Sequence, residues 1–218
     1  MIRREVIGNC ELTCEDCMDL MKRYPDGHFD LAIVDPPFGN KTNVEAGTGP
    51  WAKRNTLLKT NWDTPPNSDY FNELFRVSKN QIVWGGNFFP FLPIKRGWVC
   101  WYKTDEIKNR DFSEFELAWT SYDISARHYT EKPFIRDGQR IHPTQKPVAL
   151  YKWLLSKYAK PGWKILDTHL GSGSHVIACN DMGFPLTACE IDEDYFEAAV
   201  KRLKLFASQG TLAFGGGE

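Results

Sequence analysis

Two strand–turn–helix units in the last third of the sequence constrain its fold most strongly. An apolar strand at residues 164–167 runs into Gly171-Ser172-Gly173 and then into a helix that reaches about residue 182. A second strand at residues 186–190 precedes another amphipathic helix. Because strands that alternate with helices through short turns build parallel sheets, this pattern predicts an α/β domain with a mostly parallel central sheet.

The first 120 residues add four strand-like runs and two helices. The strands are expected at 31–34, 81–84, 98–102 and 115–119, with a further short strand at 11–13. A helix is expected from Asp16, and another at 69–78 with Asn67 or Ser68 as its cap. Pro147 opens a later helix that ends before Pro161, and the Gly-rich tail from Gly210 is expected to fray.

Length and composition place this chain among single-domain proteins. Its 218 residues, 42% of them hydrophobic, suffice for one generous domain. The sequence lacks an apolar run near the roughly 18 residues of a membrane span, and residues 1–5 lack the apolar stretch of a secretory signal. We therefore expect a cytoplasmic protein without a membrane partner, whose six cysteines stay reduced.

The charge distribution leaves the question of a nucleic-acid partner open. A net charge of −1 argues against phosphate binding, which rewards clustered Lys and Arg. Residues 39–68 and 120–146 are nevertheless richer in Lys and Arg than in Asp and Glu. Such segments either contact phosphate or form solvated loops.

Three carboxylates fall where predicted strands end, which is where ligands bind on parallel sheets: Asp35, Asp167 and Glu190. Glycines at 171 and 173 permit positive φ and close approach of a ligand to the backbone, or serve only tight strand–helix packing. A carboxylate at the position of Glu190 can accept hydrogen bonds from ribose hydroxyls. Val176 stands where a dinucleotide fingerprint needs a small residue, so a nucleoside cofactor without pyrophosphate fits better than NAD.

The run Asp35-Pro36-Pro37-Phe38 suits chemistry on the exocyclic amine of a base. The lone pair of that amine is delocalised into the ring, which makes it a poor nucleophile. Acceptance of one N–H bond each by the Asp35 carboxylate and the Pro36 carbonyl would hold the nitrogen closer to tetrahedral geometry. Pro37 helps to stiffen the loop, and Phe38 can stack on the base, which must first be flipped out of a duplex. The alternative is a strand-ending turn with a capping Asp.

With these motifs in order, the chain resembles the β-group of DNA amino-methyltransferases, whose catalytic motif precedes the cofactor motif. Asp16-Cys17 is similar to that family's Gly-Asp-Cys element, and 35–38 to its Asp-Pro-Pro-Tyr/Phe motif. Residues 142–147 resemble its His-Pro-Thr-x-Lys-Pro element. Residues 167–174, with Glu190, Asp192 and Tyr195, resemble its glycine turn and acidic pair.

The resemblance implies a Rossmann-like methyltransferase fold, helices on both sheet faces and a circularly permuted motif order. It further implies one S-adenosylmethionine-dependent domain over 1–218, with a catalytic half at about 1–120, a short recognition loop at about 121–141 and a cofactor half at about 142–208. Catalytic residues would be Asp35, Pro36, Pro37 and Phe38. Cofactor-binding residues would be Asp16, Cys17, Asp35, Thr144, Lys146, Asp167, His169, Gly171, Gly173, Glu190 and Asp192.

Two departures from the family pattern bear on function. Thr168 and His169 replace the usual Pro and Phe, which would make the pocket beneath the sulfonium more polar or looser. The segment at 121–141 is short for a target-recognition domain. Sequence choice would then be relaxed or would fall to the loop at 39–68.

Cysteine and histidine spacing raises two other possibilities. Cys10-x3-Cys14-x2-Cys17 has the spacing of a radical iron–sulfur motif that uses the same cofactor, but it would leave Asp35 to Phe38 without a role. The histidines at 128, 142, 169 and 175 lack ligand spacing, so a metal site is not expected.

The sequence thus predicts a site-specific enzyme of restriction-modification type that methylates N6 of adenine in double-stranded DNA and exists as a possible homodimer. Asp rather than Ser before Pro-Pro favours adenine. The alternatives are N4 of cytosine, an RNA amine, or an inactive DNA-binding relative in which His169 disturbs the cofactor pocket.

Overall fold

The computed structural model describes residues 2–39, 64–104, 113–133, 141–142 and 144–213, with side chains up to residue 208. Its strands are β1 Arg3–Ile7, β2 Cys10–Cys14, β3 Leu31–Val34, β4 Gln81–Trp84, β5 Trp98–Tyr102, β6 Phe115–Thr120, β7 Arg127–Thr130, β8 Ile165–Asp167 and β9 Leu186–Glu190. Its α-helices are α1 Cys17–Lys22, α2 Ser68–Val77, α3 Val148–Tyr158, α4 Ser174–Met182 and α5 Glu193–Ala213. A 3₁₀ turn covers Gly86–Phe88.

All of these strands join one sheet in the order β1-β2-β9-β8-β3-β4-β6-β5-β7. Pairing is antiparallel at β1–β2, β4–β6 and β6–β5, and parallel between the other neighbours. The mostly parallel sheet predicted from the sequence is therefore confirmed. Because β2, β9, β8, β3 and β4 run in the same direction, the residues that follow them meet at one edge of the sheet.

Helices cover both faces of the sheet, as predicted. Side chains of a strand point alternately to the two faces, and in β3 Ile33 belongs to one hydrophobic cluster while Val34 belongs to the other. The first cluster includes buried residues of α3, α4 and α5, and the second includes those of α1 and α2. Each face thus has its own core, and the sheet edge between them stays available to polar groups.

Local signals fix the helix ends near the site. Asp16 caps α1 by accepting a hydrogen bond from the Met18 amide, and Asn67 caps α2 by accepting from the amides of Asp69 and Tyr70. Gly183 ends α4 in the left-handed conformation, with φ of 74°. These are the capping residues and helix ends that the sequence predicts.

Three predictions of local structure need correction. The segment predicted as a loop at 121–141 contains strand β7, which gains its backbone hydrogen bonds by pairing with β5. Its side chains are mostly exposed, so it carries no apolar signal. Strand β1 was not predicted, and α5 continues to Ala213 instead of fraying from residue 210.

Several predicted segments lie wholly or partly outside the described residues. These are residues 40–63 of the loop at 39–68, together with residues 105–112, 134–140, Pro143 and 214–218. Within the part of the chain that the structure describes, no helix is long and apolar enough to cross a membrane.

Candidate active site

The residues predicted to carry chemistry meet at the edge where the parallel strands end. Asp35 follows β3, Asp167 ends β8 and Glu190 ends β9. Asp16 and Cys17 begin α1 just after β2, which pairs with β9. The pairing of β3 with β8 places the catalytic motif beside the glycine turn.

The two carboxylate oxygens of Asp35 differ in their hydrogen bonding. Its Oδ2 accepts a hydrogen bond from the Lys146 ammonium, whose side chain is only 2% exposed. Its buried Oδ1 finds no hydrogen-bond partner among the described residues. Burial raises the pKa of Asp35 above its ordinary value, although Lys146 opposes that effect.

The other hydrogen-bond acceptor of this motif is the Pro36 carbonyl. Pro36 is buried, and its carbonyl accepts no hydrogen bond from any residue in the described ranges. Since proline lacks an N–H, neither Pro36 nor Pro37 offers a donor that would satisfy these acceptors locally. Two adjacent acceptors are therefore left for an external donor, which is a costly arrangement unless a ligand uses it.

Phe38 forms an aromatic pair at the rim of this site. Its ring stacks on Phe88 with centroids 5.0 Å apart and planes at 11°. Phe88 lies in the 3₁₀ turn after β4 and is half exposed. Gly85 has φ of 67°, and a Cβ there would come within 2.6 Å of the Phe38 ring. The Gly85 position therefore depends on glycine for both its conformation and its space.

Lys146 contacts the Asp35 carboxylate directly. It bonds Asp35 and also approaches Glu116 Oε2 at 3.2 Å. Burial acts to lower the pKa of Lys146, but the two carboxylates outweigh burial and raise it. The lysine is therefore charged, and its expected role as a cofactor-binding residue did not indicate these contacts.

The rest of the His142 to Pro147 element bridges the two halves of the site. Gln145 accepts a hydrogen bond from the Ile141 amide at 2.9 Å, and the Thr144 hydroxyl lies 3.1 Å from His142 Nδ1. The His142 ring packs edge-on against Tyr195, with centroids 4.5 Å apart, and also lies beside Gly171. The element thus contacts both the glycine turn and, through Lys146, the catalytic motif.

Glu190 is held by backbone amides at the end of β9. Oε2 accepts from the Gly171 amide at 2.9 Å and Oε1 accepts from the Asp192 amide at 3.1 Å. Burial raises the pKa of Glu190, while these two amide bonds act to lower it. Because a carboxylate oxygen accepts more than one hydrogen bond, Glu190 retains capacity for ribose hydroxyls.

The glycine turn has the backbone that the sequence predicts. Gly171 and Gly173 both have positive φ, of 50° and 74°. Gly173 precedes α4 and faces Leu203 of α5, so its lack of a side chain serves helix packing. At Gly171 a Cβ would meet His142 only at ordinary contact distance, so its conformation is the stronger reason for glycine.

Both carboxylate oxygens of Asp167 have partners within the protein. Oδ1 accepts from the His169 amide at 3.0 Å, and Oδ2 lies 2.9 Å from Nδ1 of the buried His175. The His175 ring stacks on Tyr151, with centroids 4.7 Å apart. Sequence reasoning did not identify His175 as part of the site, because a lone histidine in a helix shows no ligand spacing.

Thr168 and His169 make this part of the pocket more polar without loosening it. The Thr168 hydroxyl lies 2.7 Å from the Tyr70 hydroxyl and 2.9 Å from His169 Nδ1. Burial lowers the pKa of His169 to about 4, with Asp167 opposing that shift. The imidazole is therefore neutral at physiological pH.

The cysteines do not have the geometry of a cluster site. Cys10 and Cys14 are the two ends of extended strand β2, which separates them by about 13 Å at roughly 3.3 Å per residue. Burial raises the pKa of Cys17 to about 12, so it remains a thiol beside α1. Among the residues with defined placement, no group of three His, Cys, Asp or Glu could hold a metal ion.

Comparisons of the sequence find a matching family profile and a similar methyltransferase. The sequence profile of the family described as DNA methylase matches residues 95–201. The type II methyltransferase M.HpaI of Haemophilus parainfluenzae is 22% identical over 241 residues, which cover 88% of this chain and 73% of that protein.

Two solved structures share the fold. The M1.HpyAVI–SAM complex superposes with a TM-score of 0.63 at 18% identity, covering 89% of this chain and 98% of the other. The PvuII DNA methyltransferase, described as cytosine-N4-specific, gives a TM-score of 0.60 at 12% identity, covering 94% and 93%. At these identities the superpositions establish the fold alone.

Proposed function

We propose that this chain, which belongs to the family of N6-adenine and N4-cytosine DNA amino-methyltransferases, methylates the N6 amine of adenine in double-stranded DNA. One observation carries the proposal. The buried Asp35 Oδ1 has no partner among the described residues, and the neighbouring Pro36 carbonyl is also unengaged. Two adjacent acceptors match the two N–H donors of an exocyclic amine.

In this mechanism the protein orients the amine and does not attack it. Asp35 Oδ1 and the Pro36 carbonyl each accept one N–H bond, which turns the nitrogen lone pair away from the ring. Lys146 fixes Oδ2, so the carboxylate presents its remaining oxygen in a defined direction. When the nitrogen gains the methyl group, the bond between that methyl and the sulfur of the donor would break, the sulfur would leave as a neutral thioether, and Asp35 would take up the proton that the nitrogen loses. Alignment of this kind is a large source of rate enhancement.

The residues at the ends of β8 and β9 fit S-adenosylmethionine, which supplies an electrophilic methyl group when bound. Glu190 has acceptor capacity for ribose hydroxyls. Asp16 and Cys17 follow the neighbouring strand β2, where they can border the adenine ring. Neutral His169 brings no positive charge that would repel a sulfonium. The solved M1.HpyAVI complex contains SAM in the same fold.

Cofactor contacts proposed for Asp167 and Lys146 need refinement. Both oxygens of Asp167 are bonded within the protein, so Asp167 supports the turn that carries Gly171. Lys146 contacts two carboxylates of the protein, so its proposed role shifts to holding Asp35. Thr144 and Asp192 remain proposed cofactor neighbours, through His142 and Glu190 respectively.

Phe38 and Phe88 support a flipped base as the substrate. Their rings already contact each other, so a base would stack on the outer face of the pair rather than slide between them. The choice of adenine rests on Asp35 preceding Pro-Pro. The fold does not decide it, because the cytosine-N4-specific PvuII enzyme shares that fold.

The decisive test is mass spectrometry of nucleosides from duplex DNA and from RNA incubated with the purified protein and S-adenosylmethionine. We expect N6-methyladenine in DNA, and its loss with Asp35→Ala. A matched control is Asp26→Ala, which removes an exposed aspartate paired with Arg76 on the surface.

Each other result would overturn part of the proposal. N4-methylcytosine would correct the base, and methylated RNA would correct the polymer. Unchanged activity in Asp35→Ala would refute the mechanism. Cofactor binding without methylation of either polymer would favour an inactive DNA-binding relative. A cytoplasmic location, a homodimer and a restriction-modification partner stay predictions.

A further inference from the structure

Four charged side chains of alternating sign form a row that ends on Asp35. Lys103 Nζ lies 2.6 Å from Glu116 Oε1, and Glu116 Oε2 lies 3.2 Å from Lys146 Nζ. Lys146 in turn bonds Asp35 Oδ2. The side chains of Lys146 and Lys103 are 2% and 13% exposed, so most of the row is shielded from water.

Two tryptophans support this row from the sheet. Lys146 Nζ lies 5.1 Å from the centroid of the Trp84 ring, and Lys103 Nζ lies 5.3 Å from that of Trp101. The two indoles contact each other edge to face at 6.4 Å. Ring faces attract ammonium groups through cation–π contacts, so the row rests on a surface that suits its two lysines.

The sheet order explains why these residues meet. Strands β3, β4, β6 and β5 are neighbours, and Trp101 of β5 pairs in register with Glu116 of β6. Asp35 just after β3, Trp84 at the end of β4 and Glu116 in β6 therefore lie side by side across the sheet, with Lys103 just after the end of β5. Glu116 is on the antiparallel strand β6, which brings it to the edge where the parallel strands end.

We propose that Glu116 is a positioning residue for the methyl-transfer reaction. Glu116 shares Lys146 with Asp35, and the positive charge of Lys103 balances the negative charge of Glu116. This inference rests on the proposed function. By dividing the ammonium between two carboxylates, Glu116 prevents Lys146 from neutralising Asp35 alone. Asp35 then stays a strong enough acceptor to bind an amine and to take up its proton.

The electrostatics of the row agree with this division. Burial acts to raise the pKa of Glu116, but Lys146 and Lys103 outweigh it and lower that pKa. Burial is the main cause of the raised pKa of Asp35, and the Glu116 charge adds to it against Lys146. Asp167 also raises the pKa of Asp35. Burial raises the pKa of the Tyr151 hydroxyl, and the charges of Asp35, Asp167 and Glu116 add to that shift.

Variants at the two outer positions should shift the pKa of Asp35 in opposite directions. Glu116→Gln removes a negative charge, so the pKa of Asp35 should fall by about one unit. Lys103→Met removes the cation that balances Glu116, so the pKa of Asp35 should rise by a smaller amount. The double variant removes one charge of each sign, so its Asp35 pKa should lie between those of the two single variants. It also leaves no unpaired charge that would compromise folding.

Carbon-13 NMR titration of the Asp35 carboxyl measures its pKa in each variant without relying on activity. The Asp35→Asn variant serves to assign the resonance. In parallel, single-turnover methylation against pH should show the acidic limb moving with the carboxyl, and the plateau rate of Glu116→Gln falling about tenfold or more. Glu11→Gln is the matched control, since Glu11 is a strand glutamate paired with Arg4 outside the row. It should shift neither measurement.

The NMR and kinetic results separate the two levels of the proposal. An unchanged pKa of Asp35 in both single variants, or shifts of the same sign, would overturn the role of Glu116. Opposite shifts of the Asp35 pKa, with no methylation by the wild-type protein, would refute the proposed function. They would still support the electrostatic coupling of Asp35 to Glu116 and Lys103. Opposite shifts in the carboxyl pKa with an unmoved acidic limb would show that Asp35 ionisation does not control the reaction and would overturn the positioning role.

Discussion

Asp35 and Asp167 follow neighbouring parallel strands, yet their surroundings differ. β3 and β8 pair directly, so both carboxylates lie at the same edge of the sheet. Asp167 gives both oxygens to groups of its own turn and of α4. Asp35 gives one oxygen to Lys146 and keeps the other buried without a partner among the described residues.

The contrast separates a carboxylate with a structural role from one whose proposed role is in the reaction. A buried acceptor without a partner costs about 1–3 kcal/mol, and folding gains nothing in return. A carboxylate whose two oxygens both have partners in its own turn and in a neighbouring helix stabilises the fold. We therefore expect substitutions at Asp35 to reduce activity, and substitutions around Asp167 to reduce stability.

Asp35→Asn should give the largest effect. The amide keeps the shape but turns one acceptor into a donor, so methylation should fall about a thousandfold, or roughly 4 kcal/mol in the barrier. The unfolding midpoint should fall only modestly, because the amide oxygen can still accept from Lys146 and Glu116 still balances the charge of that lysine. Single-turnover kinetics and thermal unfolding test both halves of the statement. A destabilised, active variant would reverse the comparison.

His175→Leu should give the second-largest effect, a loss of stability. It leaves Asp167 Oδ2 buried without its ring partner, at a cost of about 3 kcal/mol in the free energy of unfolding. His175→Gln restores a donor and should recover part of that loss. Urea unfolding measures both variants. Full stability of the leucine variant would show that the Asp167–His175 contact contributes little.

The pH dependence of stability should depend on His169. The folded protein keeps this ring neutral down to about pH 4, whereas an unfolded histidine takes up its proton near 6.5. Between those values the unfolded chain binds more protons, so stability should decrease as pH falls from 6.5 to 4 and level off below. The contribution is on the order of 2 kcal/mol, since the ring is partly exposed.

His169→Asn should flatten that part of the stability curve, because asparagine does not titrate. Urea unfolding at several pH values compares the two proteins, and the difference between them isolates the histidine from other groups. Parallel curves for the wild type and the variant would contradict the neutral, buried state of His169.

Phe88→Ala should have the smallest effect. It removes the outer ring of the pair with Phe38, so binding of the flipped base should weaken by about 1–2 kcal/mol. KM for DNA should rise about tenfold while the rate at saturation changes less. Phe115→Ala, at another exposed phenylalanine, is the control. Equal effects of the two variants would argue against stacking at the rim.

Much of the fold was predictable because its signals are local. Leu31 to Val34 is apolar and is followed at once by prolines, so the strand was predicted with its observed bounds. Gly183 and Asn67 mark helix ends through their own conformational preferences. The carboxylates at 35, 167 and 190 follow strand ends, and a parallel sheet brings such ends together.

The remaining features depend on partners far along the chain. Lys146 and Asp35 are 111 residues apart, and their contact requires the order of strands in the sheet. Glu116 appeared only as a polar residue in a strand, because register with β5 determines what it meets. Strand β7 has polar exposed residues, so only its pairing with β5 reveals it.

The pairing of β2 with β9 has a consequence for biosynthesis. Thr13 and Ala188 are 175 residues apart, yet they contact each other within the sheet. Strands β3, β4, β6 and β5 pair over shorter separations and can associate while translation continues. The side of the sheet that carries Glu190 forms only once β9 has left the ribosome. On the nascent chain, the strand that leads to Asp35, the carboxylate proposed to hold the amine, can therefore find its partners before the pocket that would bind S-adenosylmethionine is complete.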